Sequence, residues 1–288
     1  GGVSVSTGGT FTMSGGKITG NTTDSADGGV CVAGGQFTMS GGKITGNTAI
    51  SYSGGVGVHN SATFIMSGGT IGGTTEGEAN KAKYGGGVNV DQYGTFTMSG
   101  GSIAKNKAGS FGGGVKVAGG TFTVSGGATV TENVNTDGNA NNVSLPSTKT
   151  ITIGEGGLTG GADSIGVTKE NPTENRIIAN NVSTDYSGIF FSDNTQYKVE
   201  YDKTEEANHK LVLAKRDGTT PTPEHNHIWA YTLSDDHKTI KATCTNTTGN
   251  CDVNRDGGSV TIKAPTNTTY DGDPKPATLE QSTKWQSV

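Results

Sequence analysis

Thr-Phe-Thr-Met-Ser-Gly-Gly, at residues 10–16, returns with few changes at residues 36–42, 63–69, 95–101 and 121–127. Each copy is preceded by Gly-Gly-Val-x-Val, and the first two are followed by Ile-x-Gly-Asn, which later copies vary, so almost half of the chain repeats one module. The phenylalanines of successive copies are 26, 27, 32 and 26 residues apart. Self-similarity at such a period predicts a solenoid, in which each module forms one coil and packs on its neighbours.

The composition narrows the class of protein. The 288 residues include 49 glycines, too many for an ordinary globular domain, yet without the strict third-residue glycine of collagen. The net charge is -5 and no basic cluster is present, which argues against nucleic-acid binding because phosphate contacts need concentrated Lys and Arg. No apolar run approaches the ~18 residues of a membrane span, so no membrane insertion is expected.

Each module contains three short segments with apolar residues at alternate positions. In the first module these are Val3 and Val5, then Phe11 and Met13, then Ile18. Period-two alternation predicts strands with one buried face. We therefore expect an all-β, parallel β-helix with three strands and about 26 residues per coil. The predicted inward columns are Val3, Val30, Val56, Val88 and Val115; Met13, Met39, Met66, Met98 and Val124; and Ile18, Ile44, Ile71, Ile103 and Val130.

Asparagines that follow the third segment predict a polar column inside the coil. Its expected members are Asn21, Asn47, Asn106 and Asn133, with Thr74 interrupting the series. Stacked side-chain amides can hydrogen-bond along the axis, so these residues are interpreted as structural. The longest step between modules contains an insertion, residues 75–84, which we expect to leave the coil as a surface loop.

The repeats thin out towards the C-terminus, which predicts four regions. Residues 1–142 form the regular β-helix, and residues 143–214 form irregular closing coils that block edge pairing. Residues 215–224 contain two prolines and are expected to be a linker. Residues 225–288 show paired strand patterns and predict a small antiparallel β-sandwich-like module. We interpret the chain as a piece of a longer protein.

The cysteines and two histidines suggest two alternative structures in the last region. His225, His227, Cys244 and Cys251 could provide four ligands for a structural zinc ion. Alternatively, Cys244 and Cys251 form a disulfide across a turn, with both histidines exposed. Cys31 stands apart at an outward strand position and is expected to be an incidental thiol. No other cofactor is expected.

The modules resemble a known group of repeats. Residues 28–47 are similar to the glycine-rich repeats of large cell-surface, adhesin-like proteins of Gram-positive bacteria. Residues 142–146, 158–161 and 165–167 resemble the closing region of such arrays, and residues 269–272 resemble the immunoglobulin-like stalk modules that follow them. The resemblance implies a right-handed, pectin-lyase-like β-helix.

The same resemblance implies a role and a location. It indicates a secreted, non-catalytic module of the cell surface or cell wall that acts as a rigid rod. Glycans, mucin or host surface proteins are the expected partners, with the chain acting as a monomer within a longer multidomain protein.

Two other functions compete with the adhesive one. Pectin-lyase-like coils often cleave acidic polysaccharides, and the outward positions after the Val-x-Val segment bring His59 and Asp91 onto neighbouring coils, with Asn89 and Lys116 nearby. A histidine beside an aspartate can act as a general base, so these four residues are the candidates for a lyase or hydrolase.

Outward threonines suggest the third function, an ice-binding array of two columns. Threonine is also a common residue on exposed strands, and Gln36 and Ile65 interrupt the pattern. The array comprises Thr10, Thr12, Thr38, Thr63, Thr95, Thr97, Thr121 and Thr123.

Overall fold

A computed structural model describes residues 1–204, 208–216, 229–234, 238–244, 256–263 and 278–281. The fold is all-β, and the chain divides into two compact units, Gly1–Arg216 and Asp217–Val288. The first unit is a parallel β-solenoid of about 7 turns with about 27 residues per turn, and small antiparallel sheets lie towards the C-terminus. The β-helix expected from the repeat is therefore confirmed.

The Val-x-Val segments form a parallel row, here called the valine strands. Paired side chains are equivalent residues of the repeat, as in Val30 with Val56 and Val56 with Val88. Like side chains therefore lie over one another, one coil apart. The valine strands are Val3–Val5, Val30–Ala33, Val56–His59, Val88–Val90, Val115–Val117 and Val143–Leu145.

The second and third segments form two further rows, the phenylalanine strands and the isoleucine strands. The phenylalanine strands are Thr10–Met13, Gln36–Met39, Thr63–Met66, Thr95–Met98, Thr121–Gly126 and Thr152–Leu158. The isoleucine strands are Lys17–Thr19, Lys43–Thr45, Thr70–Gly72, Ser102–Ala104 and Thr129–Thr131. Their registers join the methionine and isoleucine columns as predicted.

A fourth, shorter row of strands extends each regular coil beyond the three that the alternation predicts. Three of its members contain only two residues, too few to show a period in the sequence. Each member is followed in the chain by the next valine strand. Its strands are Thr22–Thr23, Thr48–Ala49, Lys81–Tyr84, Lys107–Phe111 and Val134–Asn135.

The core is a set of stacked columns inside the coils. The rings of Phe37, Phe64 and Phe96 are fully buried, and consecutive rings lie 4.7 Å apart between centroids with interplanar angles of 4° and 6°. This separation matches the ~4.7–4.9 Å spacing of paired strands. Each ring therefore packs against the next coil, and no coil contains a complete core of its own.

The asparagine column is continuous, and the predicted interruption at Thr74 is wrong. Asn80 fills the place: Asn47 Nδ2 donates to Asn80 Oδ1 at 2.9 Å, and Asn80 Nδ2 donates to Asn106 Oδ1 at 2.9 Å. The ladder passes through Asn133 and Asn142 to the carboxylate of Asp193. A buried amide without partners is costly, so the chain returns to the regular coil where an asparagine is available.

The inserted segment is consequently shorter than predicted. Residues 75–84 do not all leave the coil, because Lys81–Tyr84 forms a strand of the fourth row and pairs with Lys107–Phe111. The departure is confined to the residues before Asn80, which include one short 3-10 helix, Glu76–Glu78. Glu78 closes this loop by accepting the backbone N–H of Thr74 at 2.9 Å.

The closing region joins rows that are separate in the regular coils. Ile165–Lys169 pairs with the valine row through Val143 and Val167, and with the isoleucine row through Val130 and Ile165. Phe190–Ser192 pairs with this strand in turn. An antiparallel sheet follows, formed by Ile177–Ala179, Lys210–Lys215 and Tyr197–Asp202.

The second unit contains one antiparallel sheet of four strands among its described residues. Of the predicted linker, residues 215–224, the structure describes only the first two, and Lys215 ends the strand Lys210–Lys215. An immunoglobulin-like assignment of the second unit stays a prediction. The strands are Trp229–Leu233, Thr239–Cys244, Asp256–Lys263 and Thr278–Gln281.

Candidate functional site

The structure brings His59 and Asp91 together on the outer face of the valine strands. His59 ends the strand Val56–His59, and its Nδ1 lies 3.4 Å from Asp91 Oδ2 on the next coil. The Asp91 side chain is 53% exposed, whereas that of His59 is 17% exposed. The imidazole is therefore held near the surface with one nitrogen facing an accessible carboxylate.

Asp27, which the sequence analysis missed, holds the other nitrogen. Both of its carboxylate oxygens lie 3.0 Å from His59 Nε2, and its side chain is only 7% exposed. Asp27 has a φ of 64°, a left-handed conformation that Gly85 and Gly112 adopt at the same corner of later coils. The corner precedes the alternating strand, so a search along strand faces alone does not include it.

Gly57 leaves the space in which Asp27 and His59 meet. It lies between Cys31 and Asn89 in the outward column of the valine strands. A Cβ at Gly57 would overlap Asp27 Oδ1 and crowd His59 Nε2. The absence of a side chain at this one position allows residues of two coils to approach each other.

Cys31 also faces this space, although the sequence analysis treated it as an incidental thiol. One potential ligand atom from each of Asp27, Cys31 and His59 lies within 4.8 Å of the other two. Among the described residues Cys31 forms no disulfide. We refer to Asp27, Cys31, His59 and Asp91 as the acid–histidine cluster.

The local charges alter the protonation of this cluster. The hydrogen bond to Asp27 raises the pKa of His59, and although desolvation opposes it, the Asp27 charge and Asp91 add to the rise. Burial, followed by the hydrogen bond and charge of Asp27, raises the pKa of the Cys31 thiol to about 12. A histidine that donates from both nitrogens to carboxylates is an imidazolium, which has no lone pair with which to accept a proton.

The other two predicted catalytic residues are placed differently. Asn89 is almost fully buried, and its Oδ1 has no hydrogen-bond partner in the structure. Lys116 turns towards aromatic rings, with its Nζ 3.9 Å from the centroid of Tyr84 and 5.8 Å from that of Tyr52. Burial lowers the pKa of Lys116. Only His59 and Asp91, of the four candidates, are in hydrogen-bonding contact.

Beside Lys116 lies a groove lined by aromatic side chains. The rings of Tyr52 and Tyr84 are 5.4 Å apart between centroids, and those of Tyr84 and Phe111 are 6.5 Å apart. Tyr52 and Phe111 are 43% and 46% exposed. We call this cavity of about 370 Å³ the aromatic groove; its lining is Tyr52, Tyr84, Phe111, Lys116, Ala118, Ser144, Pro146 and Glu170.

The sequence contains a signal for the groove that strand alternation does not reveal. Tyr52, Tyr84 and Phe111 each stand four positions before the first valine of a valine strand, at Val56, Val88 and Val115. A position-by-position comparison of the modules would therefore place these three aromatic residues in one column.

The predicted threonine columns are present on the phenylalanine strands. Thr10, Gln36 and Thr63 follow one another in one outward column, and Thr12, Thr38 and Ile65 in the next, as the repeat predicts. An ice-binding role for these columns stays a prediction.

The predicted zinc or disulfide site lies largely outside the described residues. The described residues do not include His225, His227 or Cys251, and they include Cys244 only as the last residue of a strand. The choice between zinc and disulfide therefore stays open.

Comparison with known proteins adds no assignment: no family model, curated protein or solved structure matches this chain. Within the described residues, no helix has the length and apolar character needed to cross a membrane.

Proposed function

We propose that the chain is a non-catalytic surface module that binds glycans through the aromatic groove. The observation that carries this proposal is the series of aromatic side chains on consecutive coils, two of them strongly exposed, beside the ammonium group of Lys116. Exposed aromatic side chains that adjoin one another mark a binding surface more often than isolated ones do. The groove also has the volume of a small-ligand site.

The chemistry of the groove suits a sugar. The separations between ring centroids, 5.4 and 6.5 Å, exceed the ~3.5–4.0 Å of carbon–carbon contact, which favours offset rings with part of each face open. A pyranose ring has C–H groups on its faces and hydroxyl groups around its rim. The faces would pack against Tyr52, Tyr84 and Phe111, and the hydroxyls would bond to Lys116 and the exposed carboxylate of Glu170.

The backbone beneath the groove supports binding with little reorganisation. Tyr52 pairs with Tyr84 in a parallel bridge, and Tyr84 pairs with Phe111 in the fourth row of strands. Side chains that are already fixed lose little entropy when a ligand arrives. A surface built on stacked strands can therefore bind a flexible polar polymer through a few contacts.

Export and attachment to a Gram-positive cell wall belong to the same proposal. They depend on the resemblance of the repeats to bacterial surface arrays, as do mucin and host surface proteins as partners. A glycan-binding groove is consistent with such a setting, because the exposed polymers of that environment are largely polysaccharides.

A glycan array probed with the full chain would test the proposal. Solution titration with the best glycan should then show at least tenfold weaker binding for Tyr84→Ala, because the variant loses ring contacts and the cation–π partner of Lys116. Lys116→Ala should also weaken binding. Tyr93→Ala is the matched control: Tyr93 is 71% exposed and is not part of the groove lining.

Two results would contradict glycan binding in the groove. One is an array on which no glycan binds, and the other is binding that Tyr93→Ala and Tyr84→Ala weaken equally. Circular dichroism of each variant would show that the β-solenoid is intact, so that a loss of affinity reports on the groove.

Cleavage of acidic polysaccharides remains the competing function, and the contact between His59 and Asp91 is the observation that favours it. A general base needs a free lone pair, whereas both ring nitrogens of His59 face carboxylates. Incubation with acidic polysaccharides, followed by detection of shortened products, would distinguish the two functions. Cleavage that disappears in His59→Ala and Asp91→Ala would show that the module is an enzyme.

A further inference from the structure

We propose that Asp27, Cys31 and His59 form a binding site for a zinc ion on the outer face of the first coils. The site does not depend on the proposed glycan binding. Its three ligand types, a carboxylate, a thiolate and an imidazole, are those that zinc uses in proteins. A sulfur ligand together with a nitrogen ligand favours zinc over the oxygen-preferring ions Ca²⁺ and Mg²⁺.

The three residues are departures from the repeat that meet in space. At the corner before the glycine pair, Asp27 stands where later coils have Ser53, Gly85 and Gly112. In the middle of the valine strand, Cys31 stands where other coils have Ser4, Gly57, Asn89 and Lys116. At the last position of its valine strand, His59 stands opposite Ala33. Neighbouring coils pack without ligand-type side chains at these three positions. Packing alone therefore does not require them.

The distances are close to those of a coordinated ion. Zinc bond lengths of about 2.0–2.3 Å place tetrahedral ligand atoms roughly 3.3–3.8 Å apart. The three ligand atoms already lie within 4.8 Å of one another, and Asp27 Oδ1 lies 3.0 Å from His59 Nε2. Shifts of less than about 1 Å would therefore complete the geometry, and Gly57 leaves room for them because it has no side chain.

Asp91 occupies the position expected of a supporting residue. A histidine that binds a metal through one nitrogen commonly donates its other N–H to a carboxylate, which fixes the ring. His59 Nε2 lies 3.0 Å from Asp27 Oδ1, and Nδ1 lies 3.4 Å from Asp91 Oδ2. Coordination through Nε2 therefore leaves the ring proton on Nδ1, where Asp91 accepts it.

Zinc binding at this site releases two protons. The ion replaces the thiol proton of Cys31 and the Nε2 proton of His59, and both protons pass to solvent. Asp27 binds as its carboxylate. Three protein ligands would leave a fourth position, which a water molecule would fill.

Cobalt(II) is a spectroscopic probe for this site, because a cysteine thiolate bound to Co²⁺ gives a charge-transfer absorption in the near ultraviolet. The tail contains two further thiols, so the titration uses the full chain with Cys244→Ser and Cys251→Ser, under a phosphine reductant. We expect one equivalent of Co²⁺ to produce the band and Zn²⁺ to displace it. Adding Cys31→Ser should remove the band, and His59→Ala should weaken Co²⁺ binding at least tenfold.

Asp91→Asn provides the positioning test, with an expected loss of roughly 10–100-fold in Co²⁺ affinity and an unchanged absorption maximum. Lys116→Ala, outside the cluster, should leave Co²⁺ binding unchanged while it weakens glycan binding. Circular dichroism verifies the fold of every variant. A folded protein without a one-equivalent thiolate band, or a band that survives Cys31→Ser, would overturn the zinc site without affecting the proposed glycan binding.

Discussion

Gly57 allows the side chains of Asp27 and His59 to contact each other. Asp27 and His59 belong to neighbouring coils, and their contact passes through the volume that a methyl group at Gly57 would fill. Other coils have Cys31 and Asn89 in this column, so the strand itself tolerates a side chain there. The glycine is therefore required by the cluster rather than by the backbone.

Gly57→Ala should lower the free energy of unfolding by about 1–3 kcal/mol, because Asp27 and His59 must separate and lose their partly buried hydrogen bond. Urea unfolding followed by circular dichroism would measure the change. The matched control is Gly15→Ala, since a Cβ at Gly15 meets nothing within 4 Å. Gly15→Ala should change the free energy of unfolding by no more than about 0.5 kcal/mol.

A double-mutant cycle tests whether the collision with Asp27 causes the loss of stability in Gly57→Ala. Asp27→Gly introduces the residue that Gly85 and Gly112 have at the same left-handed corner, and it removes the carboxylate with which the new methyl group collides. In that background Gly57→Ala should cost much less than in the wild-type chain. An equal cost in both backgrounds would show that the strand, and not the cluster, needs the glycine.

At the scale of elements, the asparagine ladder links the coils along their axis. Asn106 Oδ1 accepts both the backbone N–H and the Nδ2–H of Asn80, while Asn106 Nδ2 donates onward to Asn133. Every amide in the series points the same way, so its last donor needs an acceptor that offers no N–H of its own. Asp193 supplies that acceptor to Asn142, with contacts of 2.6 and 2.7 Å.

Asp193→Asn should therefore destabilise the first unit by about 1.5–3 kcal/mol, the range for a hydrogen bond to a charged group. The two carboxylate oxygens accept from Asn142 and from the hydroxyl of Thr168, whereas an amide has one oxygen, so in the present geometry its NH2 group would face one of these donors. Thermal and urea unfolding would measure the loss. Asp24→Asn, at an exposed position, is the control and should have little effect; equal losses in both variants would contradict the role of the ladder.

At the scale of the whole chain, the repeat predicted the columns because a side-chain period of two and a near-constant coil length fix which residues stack. The same reasoning missed Asp27 and Asn80 for physical reasons. Asp27 lies at a corner with left-handed backbone, where alternation has no meaning, and Asn80 follows an insertion that shifts its position relative to the other asparagines. The aromatic groove was missed because its residues lie between the repeated motifs.

The stability of the first unit should depend on pH through Lys169. This residue lies in Ile165–Lys169, the strand to which the valine and isoleucine rows both pair, and its Nζ donates to the backbone carbonyl of Lys149. Burial, with a smaller effect of Arg176, lowers the pKa of Lys169 from 10.5 to about 8. Between these values the unfolded chain binds more protons than the folded chain, so the free energy of unfolding rises with pH.

Urea unfolding of the full chain, followed by circular dichroism, would measure this contribution. We expect Lys169 to raise the urea midpoint as the pH increases from 8 to 10.5. Below pH 8, Lys169 is charged in both states and should contribute no pH dependence. Lys169→Met should remove it, because methionine does not titrate in this range. The control is Lys105→Met: Lys105 is 38% exposed and pairs with Glu132 at the surface, so the contribution should persist. If Lys169→Met retains the same pH dependence as the wild-type chain, then Lys169 is not its source, and the buried ammonium does not destabilise the closing region.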